Sequence, residues 1–292
     1  MQSLWMLAAG LLFACMSVFV KLGAAHFSSA ELVFYRSVIG LAVIYAITRH
    51  QRLPLATRHW KMHLARSLSG FVALLLYFYA ISALPLATAV TLNYTSPLFL
   101  ALLTTLWLKE RAHWLLVLAI ILGFAGVVLL LKPTLGRDQL FAGLLGLVSG
   151  FLAGIAYFNI KQLGEIGEPE WRVVFYFTLL CTVGAGIWML LNTFHSVNRE
   201  SLLILLGLGT TATLAQLAMT RAYGKGKTLV SGSLAYSTVV FASLFGMVVW
   251  GEMLPVSGWR HPQHQGRAAA RHAGRITLPQ PPLLPNMKER PR

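Results

Sequence analysis

Nine runs of mostly apolar residues, near 4–22, 32–47, 68–84, 87–108, 114–131, 140–160, 173–191, 202–220 and 229–249, divide this chain. Most approach the ~20 residues that a helix needs to cross the ~30 Å hydrocarbon core of a bilayer. Hydrocarbon offers no partner to a backbone N–H or C=O, so each spanning segment must satisfy its own as a helix. The sequence therefore predicts an all-α polytopic membrane protein with nine transmembrane helices. Composition agrees, with 11% charged residues against about 25% in soluble domains.

The net charge of +15 would fit nucleic acid if the charge were clustered on one face, but it is spread over short loops. One alternating set of loops (49–66, 109–111, 161–172 and 221–227) carries 12 Lys and Arg, and the other carries four, Lys21, Lys132, Arg137 and Arg199. Cytoplasmic loops hold the excess of basic residues, which predicts a cytoplasmic N-terminus and no nucleic-acid partner. Cys15 and Cys181 fall inside spans and define neither a disulfide framework nor a metal knuckle. Residues 1–25 lack the basic leading segment of a cleaved signal peptide.

The chain also repeats itself. Leu92-Asn93-Tyr94-Thr95-Ser96 leads to Trp107-Leu108-Lys109-Glu110, and Leu234-Ala235-Tyr236-Ser237-Thr238 leads to Trp250-Gly251-Glu252. Tyr94 precedes Glu110 by the same 16 residues that separate Tyr236 from Glu252. Gly10 and Ala14 stand before Lys21 as Gly150 and Gly154 stand before Lys161, and Phe34-Tyr35 recurs as Phe175-Tyr176. Residues 1–131 would then form a first five-helix unit and 132–259 a second, incomplete one. Five is odd, so the second unit starts on the opposite side and the halves are inverted. That places Lys21 and Glu252 at outer helix ends and Lys161 and Glu110 at inner ones, in agreement with the loop charges.

These features, with Phe34-Tyr35-Arg36 early in the second span and Leu108-Lys109-Glu110-Arg111 closing the fourth, resemble the EamA family of the drug/metabolite transporter superfamily over residues 1–259. The resemblance implies a ten-helix inner-membrane carrier that moves small metabolites by alternating access. It implies further that helices 1–4 and 6–9 surround a central cavity and helices 5 and 10 lie outside it. The chain departs from this pattern after Trp259. Arg260-His261-Pro262-Gln263-His264 replaces the start of a tenth apolar helix, and Pro279, Pro281, Pro282 and Pro285 exclude a span. Residues 260–292 are predicted to be a disordered basic tail, from either a reading-frame shift or a natural nine-helix variant.

Arg36 is the leading candidate for substrate binding, because a charge within a span usually faces a cavity or a partner. The repeat puts Phe177 or a neighbour opposite it. The other reading has Arg36 snorkelling to headgroups from near the outer interface. Asn93 and Tyr94, beside Ser96 and Pro97, mark a polar, proline-broken point in the fourth span, and carriers build sites at such breaks. Tyr236 is the inverted counterpart, while Thr88, Thr91 and Thr95 form another stripe that can bond its own helix. Asn159 and Gln216 are buried amides that need partners. Tyr77, Tyr79 and Tyr157 are either stacking surfaces or interfacial belts. Glu110, Glu252, Lys21 and Lys161 read as helix-end anchors first and coupling groups second. Gly146, Gly150 and Gly154 read as a close-packing face.

Two motifs mislead. Gly224-Lys225-Gly226-Lys227-Thr228 resembles a phosphate loop, but Arg221 stands where its first glycine belongs. His59 and His63 have zinc-like spacing, but lie in a basic loop and are expected to be solvated. The leading function is a secondary transporter, expected to be an exporter, that moves a small metabolite across the inner membrane by alternating access, embedded in the lipid bilayer without a cofactor or metal and compatible with a homodimer. A defective carrier lacking its tenth helix is the alternative, and an intramembrane enzyme is the third class. With nine spans and a cytoplasmic N-terminus, residues 260–292 emerge outside with seven basic residues and one acidic. Protease added to intact spheroplasts should then clip the tail, and cleavage only in inverted vesicles would overturn the span count or the orientation.

Overall fold

A computed structural model describes residues 1–108, 137–192 and 195–252. The expected fifth span at 114–131, Glu110 and the tail at 260–292 lie outside the described residues. A short 3-10 turn, Gln2–Leu4, leads into α1 (Trp5–Gly23), α2 (Ser29–His50), α3 (Trp60–Ala83), α4 (Leu86–Asn93) and α5 (Ser96–Leu108). After the undescribed stretch come α6 (Arg137–Glu165), α7 (Glu170–Leu191), α8 (Arg199–Lys225), α9 (Thr228–Ala235) and α10 (Ser237–Trp250). No strand occurs among the described residues. Among the described residues, eight segments are long and apolar enough to span a bilayer, with α4–α5 and α9–α10 each counting as one. The protein is an all-helical, multi-pass membrane protein.

Local chemistry sets the boundaries. Ser28 opens α2 with a capping box, accepting from Glu31 N at 3.3 Å while its own N–H donates to Glu31 Oε2 at 2.7 Å. Asn198 and Ser201 open α8 in the same way. Gly251 closes α10 at φ 64°, a left-handed geometry that glycine adopts without steric cost. Two boundaries differ from the hydropathy reading. α2 is not short, because its cap lies at Ser28 and it carries Arg49 and His50 in its last turn. α3 begins at Trp60 instead of 68, so Lys61, His63 and Arg66 belong to a helix and not to the basic loop.

Cross-chain bonds define the two ends of the bundle. At the first, Arg221 Nε donates to Gln2 Oε1 at 2.8 Å, Lys225 meets Glu170 at 2.8 Å, and Thr57 donates to Glu168. At the second, Lys21 pairs with Glu252, and the His195 N–H donates to Glu31 Oε1 at 2.6 Å. α1 thus runs from the first end to the second and α6 runs back. α1 packs along α8 and α10, α3 along α6, α2 along α7, and α5 along α6. This set is unchanged when α1–α5 and α6–α10 are exchanged, the symmetry of an inverted repeat. The outer surface is studded with exposed Leu68, Phe141, Ile187, Trp188, Leu203 and Val248, suited to lipid and costly in water.

The breaks between α4 and α5 and between α9 and α10 dock against glycines. A Cβ at Gly150 of α6 would collide with Thr95 Oγ1 and fall 2.7 Å from the Leu92 carbonyl oxygen and 3.0 Å from that of Asn93. A Cβ at Gly10 of α1 would lie 2.5 Å from Ser237 Oγ and 3.3 Å from Thr238 N. Backbone cannot yield as a side-chain tip can. Gly150→Ala should therefore lower the thermal unfolding midpoint in detergent, at a cost of about 1–3 kcal/mol. Gly186→Ala, whose Cβ would meet only the Phe34 ring at 3.3 Å, should be milder.

Candidate substrate cavity

Between the helices lies a partly open cavity lined by both polar and apolar side chains. Side chains from α1, α2, α3, α4, α6, α7 and α8 line it. Arg36 enters seven residues into α2, about 10 Å along its axis. It is 3% exposed, and its Nη2 donates to Gln216 Oε1 at 3.2 Å. The snorkelling reading fails, because the guanidinium points into the bundle and not to the interface.

Arg66 reaches the same cavity from α3 and is 2% exposed. Both guanidiniums lie over the Phe177 ring, Arg66 at 3.8 Å from its centroid and Arg36 at 5.5 Å. Arg36 Nε and Nη1, Arg66 Nε and Nη1, and Gln216 Nε2 are buried without a hydrogen-bond partner in the protein. Buried donors of this kind normally have one. The wall opposite is aromatic and amide: Tyr157 stacks on Tyr223 at 4.9 Å, Tyr77 shares a hydrogen bond with Ser17 at 2.9 Å, and Asn93 donates to Ser149 Oγ at 3.0 Å. Among the described residues no three His, Cys, Asp or Glu side chains are placed to hold a metal.

The sequence candidates divide. Arg36, Asn93, Tyr94 and Gln216 meet in the cavity, with Tyr77 and Tyr157. Asn159 does not line it: two residues beyond Tyr157 it faces another way on α6, and its Nδ2 donates to the Ile155 carbonyl at 2.9 Å. Tyr236 does not line it either and is 38% exposed, since Gly10 admits Ser237 and Thr238 at the break and leaves the preceding residue turned away. Thr91 and Thr95 bond carbonyls of their own segment. Arg66 escapes sequence reading because it sits in a charge-rich stretch that resembles a loop. A signal for it exists: His63, Arg66, Ser67, Gly70, Ala73 and Tyr77 recur at helical spacing and are all buried.

The two ends of the bundle are closed by polar clusters. At the second end, Glu252 takes Lys21 on one oxygen and the Leu86 N–H on the other at 2.8 Å, and Lys21 Nζ lies 5.0 Å from the centre of the Trp250 ring. At the first end, Lys161 pairs locally with Glu165 at 3.8 Å. Beside it Glu168 accepts from Thr57 Oγ1 at 2.5 Å and from Arg172 Nη1 at 2.8 Å. Arg172 also donates to the Pro54 carbonyl, and Tyr176 to that of Leu55 at 3.0 Å. His63, expected in solvent, is 1% exposed, with Nε2 3.4 Å from Glu168 Oε2 and its ring against Tyr176. The physical reason is that α3 starts a turn before it and carries it into the packed end.

A membrane-spanning helical bundle with a largely apolar cavity that holds a few converging polar side chains, and with polar clusters tying both ends, is the architecture of a membrane transporter. The EamA-like transporter family matches residues 1–132. The pseudopaline exporter of Pseudomonas aeruginosa strain PAO1 is 32% identical over 249 residues, covering 84% of this chain and 86% of the relative. A riboflavin transporter of Vibrio cholerae is 27% identical over 263 residues, covering 88% and 87%. An S-adenosylmethionine uptake transporter of Rickettsia bellii is 22% identical, covering 85% and 84%. A solved crystal structure superposes with TM-score 0.69 at 20% identity, covering 94% of each chain, which shows the shared fold. The chain belongs to the EamA-like transporter family.

Burial opposes the charge on Glu168, but hydrogen bonds from Thr57 and Arg172 and the charges of Arg172 and His63 outweigh it. Together they hold the carboxyl below its ordinary value of 4.5. A depressed folded pKa contributes stability that is fully present above the unfolded value and is lost as pH falls through the folded one. Acidification below 4.5 should therefore loosen the clamp between the loops at 51–59 and 166–169. Glu168→Gln should be less stable than the parent near neutral pH and should show a flatter acid limb in thermal unfolding.

Proposed function

We propose that the protein is a secondary transporter of the inner membrane that exports a small, negatively charged metabolite by alternating access. The observation that carries this reading is Arg36, itself buried, lining the cavity between the helices and bonded to Gln216 from the other half of the chain. A buried guanidinium holds a carboxylate with two parallel, charge-assisted bonds, which strengthen when water is excluded. The lining side chains offer binding groups but no nucleophile–base pair, so the reading is transport and not catalysis.

Orientation follows from charge. The first end of the bundle gathers Arg49, Arg52, Arg58, Lys61, Arg172, Arg221, Lys225 and Lys227, which supports placing it, and the N-terminus, in the cytoplasm. Opening toward the outside would separate Lys21 from Glu252, and opening inward would release the Glu168 cluster. Each cluster ties helices from both halves of the chain, so movement of one half against the other breaks one while keeping the other. The similarity to an exporter supports the outward direction.

Efflux from loaded inverted vesicles, or counterflow in proteoliposomes, tests this reading. Arg36→Lys keeps the charge but loses the planar fork, and it should reduce transport by about tenfold, the ratio that corresponds to 1.4 kcal/mol. Glu165→Gln, in a half-exposed local pair, should leave transport near the parent level. Equal rates for Arg36→Lys and the parent would remove Arg36 from the site.

A further inference from the structure

We infer that the cavity is built for a dianion, with one negative charge of the substrate held by Arg36 and Gln216 and the other by Arg66 across the Phe177 ring. The inference rests on the cavity being the transport site and adds the substrate's charge class to it.

Two buried guanidiniums line the same cavity, and nothing described neutralises them. Glu31 is bonded to Ser28 and His195, Glu165 to Lys161, Glu168 to Arg172, Glu170 to Lys225 and Glu252 to Lys21. Glu200 is exposed at the start of α8. Among the residues whose side chains are described, then, every carboxylate is engaged or exposed elsewhere. Charges within a membrane span are normally compensated by a partner or a ligand. Phe177 offers its ring face to Arg66 at 3.8 Å and to Arg36 at 5.5 Å, a partial compensation that leaves the N–H groups unsatisfied. A monoanion would neutralise one guanidinium and leave its neighbour buried and charged. A dianion neutralises both.

The donors match that count. Arg36 Nε and Nη1 and Gln216 Nε2 form one unsatisfied group, and Arg66 Nε and Nη1 form another. The second is held in place by shape. Arg66 lies across bare backbone at Gly70, where a Cβ would fall 2.5 Å from its Nη1 and 3.0 Å from Phe177 Cε2. A side chain at position 70 therefore displaces the guanidinium without removing it. Two carboxylates or a single phosphoryl group supply the required charge equally well.

Isothermal titration of the full chain in detergent, near neutral pH, separates the cases with three probes: succinate, its monomethyl ester and methyl phosphate. At least one dianion should bind about tenfold or more tightly than the monoester. Preference for succinate assigns the charges to two carboxylates, and preference for methyl phosphate to one phosphoryl group. Arg66→Gln should lower the preferred dianion to the level of the monoester and leave monoester binding unchanged. Gly70→Ala, which retains both arginines, should weaken dianion binding alone, and it keeps the test open where Arg66→Gln does not fold. Equal binding of monoester and dianion, equal weakening of both by Arg66→Gln, or no binding of either dianion would overturn the inference. Arginine-dependent dianion binding without transport would leave this site standing and sink the transport reading. Transport of a neutral or singly charged compound, insensitive to Arg66→Gln, would do the reverse.

Discussion

The architecture depends on two interrupted helices being able to lie directly against a glycine on the neighbouring helix. A break within a span frees backbone groups that lipid cannot satisfy. The structure tolerates the α4–α5 break because Gly150 lets α6 approach to backbone contact with Leu92 and Asn93. It tolerates the α9–α10 break because Gly10 lets α1 do the same beside Ser237 and Thr238. Without those approaches the breaks would face a gap or hydrocarbon. With them, one break turns Asn93 and Tyr94 into the cavity.

From this packing follows the placement of the closures. α1 and α6 run in opposite directions and each holds one interrupted span, so their far ends come to rest at opposite ends of the bundle. Lys21 at the end of α1 meets Glu252 at the end of α10, and the same carboxylate caps the start of α4 at Leu86. One residue thereby fastens three helices drawn from both halves. At the opposite end, Glu168 ties the loop before α7 to the loop before α3 through Thr57 and Arg172. Both closures are polar and partly accessible, which lets water take over their hydrogen bonds when they part. An apolar seal of the same area would not separate so readily.

The helical, membrane-spanning class was legible because it needs only hydropathy and length, and these act residue by residue. The close-packing role of Gly150 was legible from spacing, and Arg36 from the rarity of a charge in an apolar run. What escaped were residues whose meaning depends on where a helix begins. Arg66 and His63 sit among Lys61, His59 and Arg58, and composition there says loop; only the buried face running on to Gly70 and Tyr77 shows that α3 has already started. Tyr236 misled for the opposite reason. The repeat equates it with Tyr94, but equivalence of backbone position does not carry side-chain direction across a break that lacks the proline.

The symmetry of the scaffold and the asymmetry of its lining have different causes. Helix pairing survives exchange of the halves because both must close the same ring of contacts, and glycines at close approaches recur for that reason. The cavity sits between the halves, and a small substrate presents different groups to its two sides. Arg36 and its repeat counterpart Phe177 meet there as cation and ring, 5.5 Å apart, where two equivalent cations would repel. Tyr77 of α3 and Gln216 of α8 line it from the two halves and also differ, one aromatic and the other an amide. Both arginines come from the first half, and the ring and the amide that orient them come from the second. Charge in the first half and orientation in the second make the site depend on the halves being together, so a motion that parts them at either end changes the binding groups themselves.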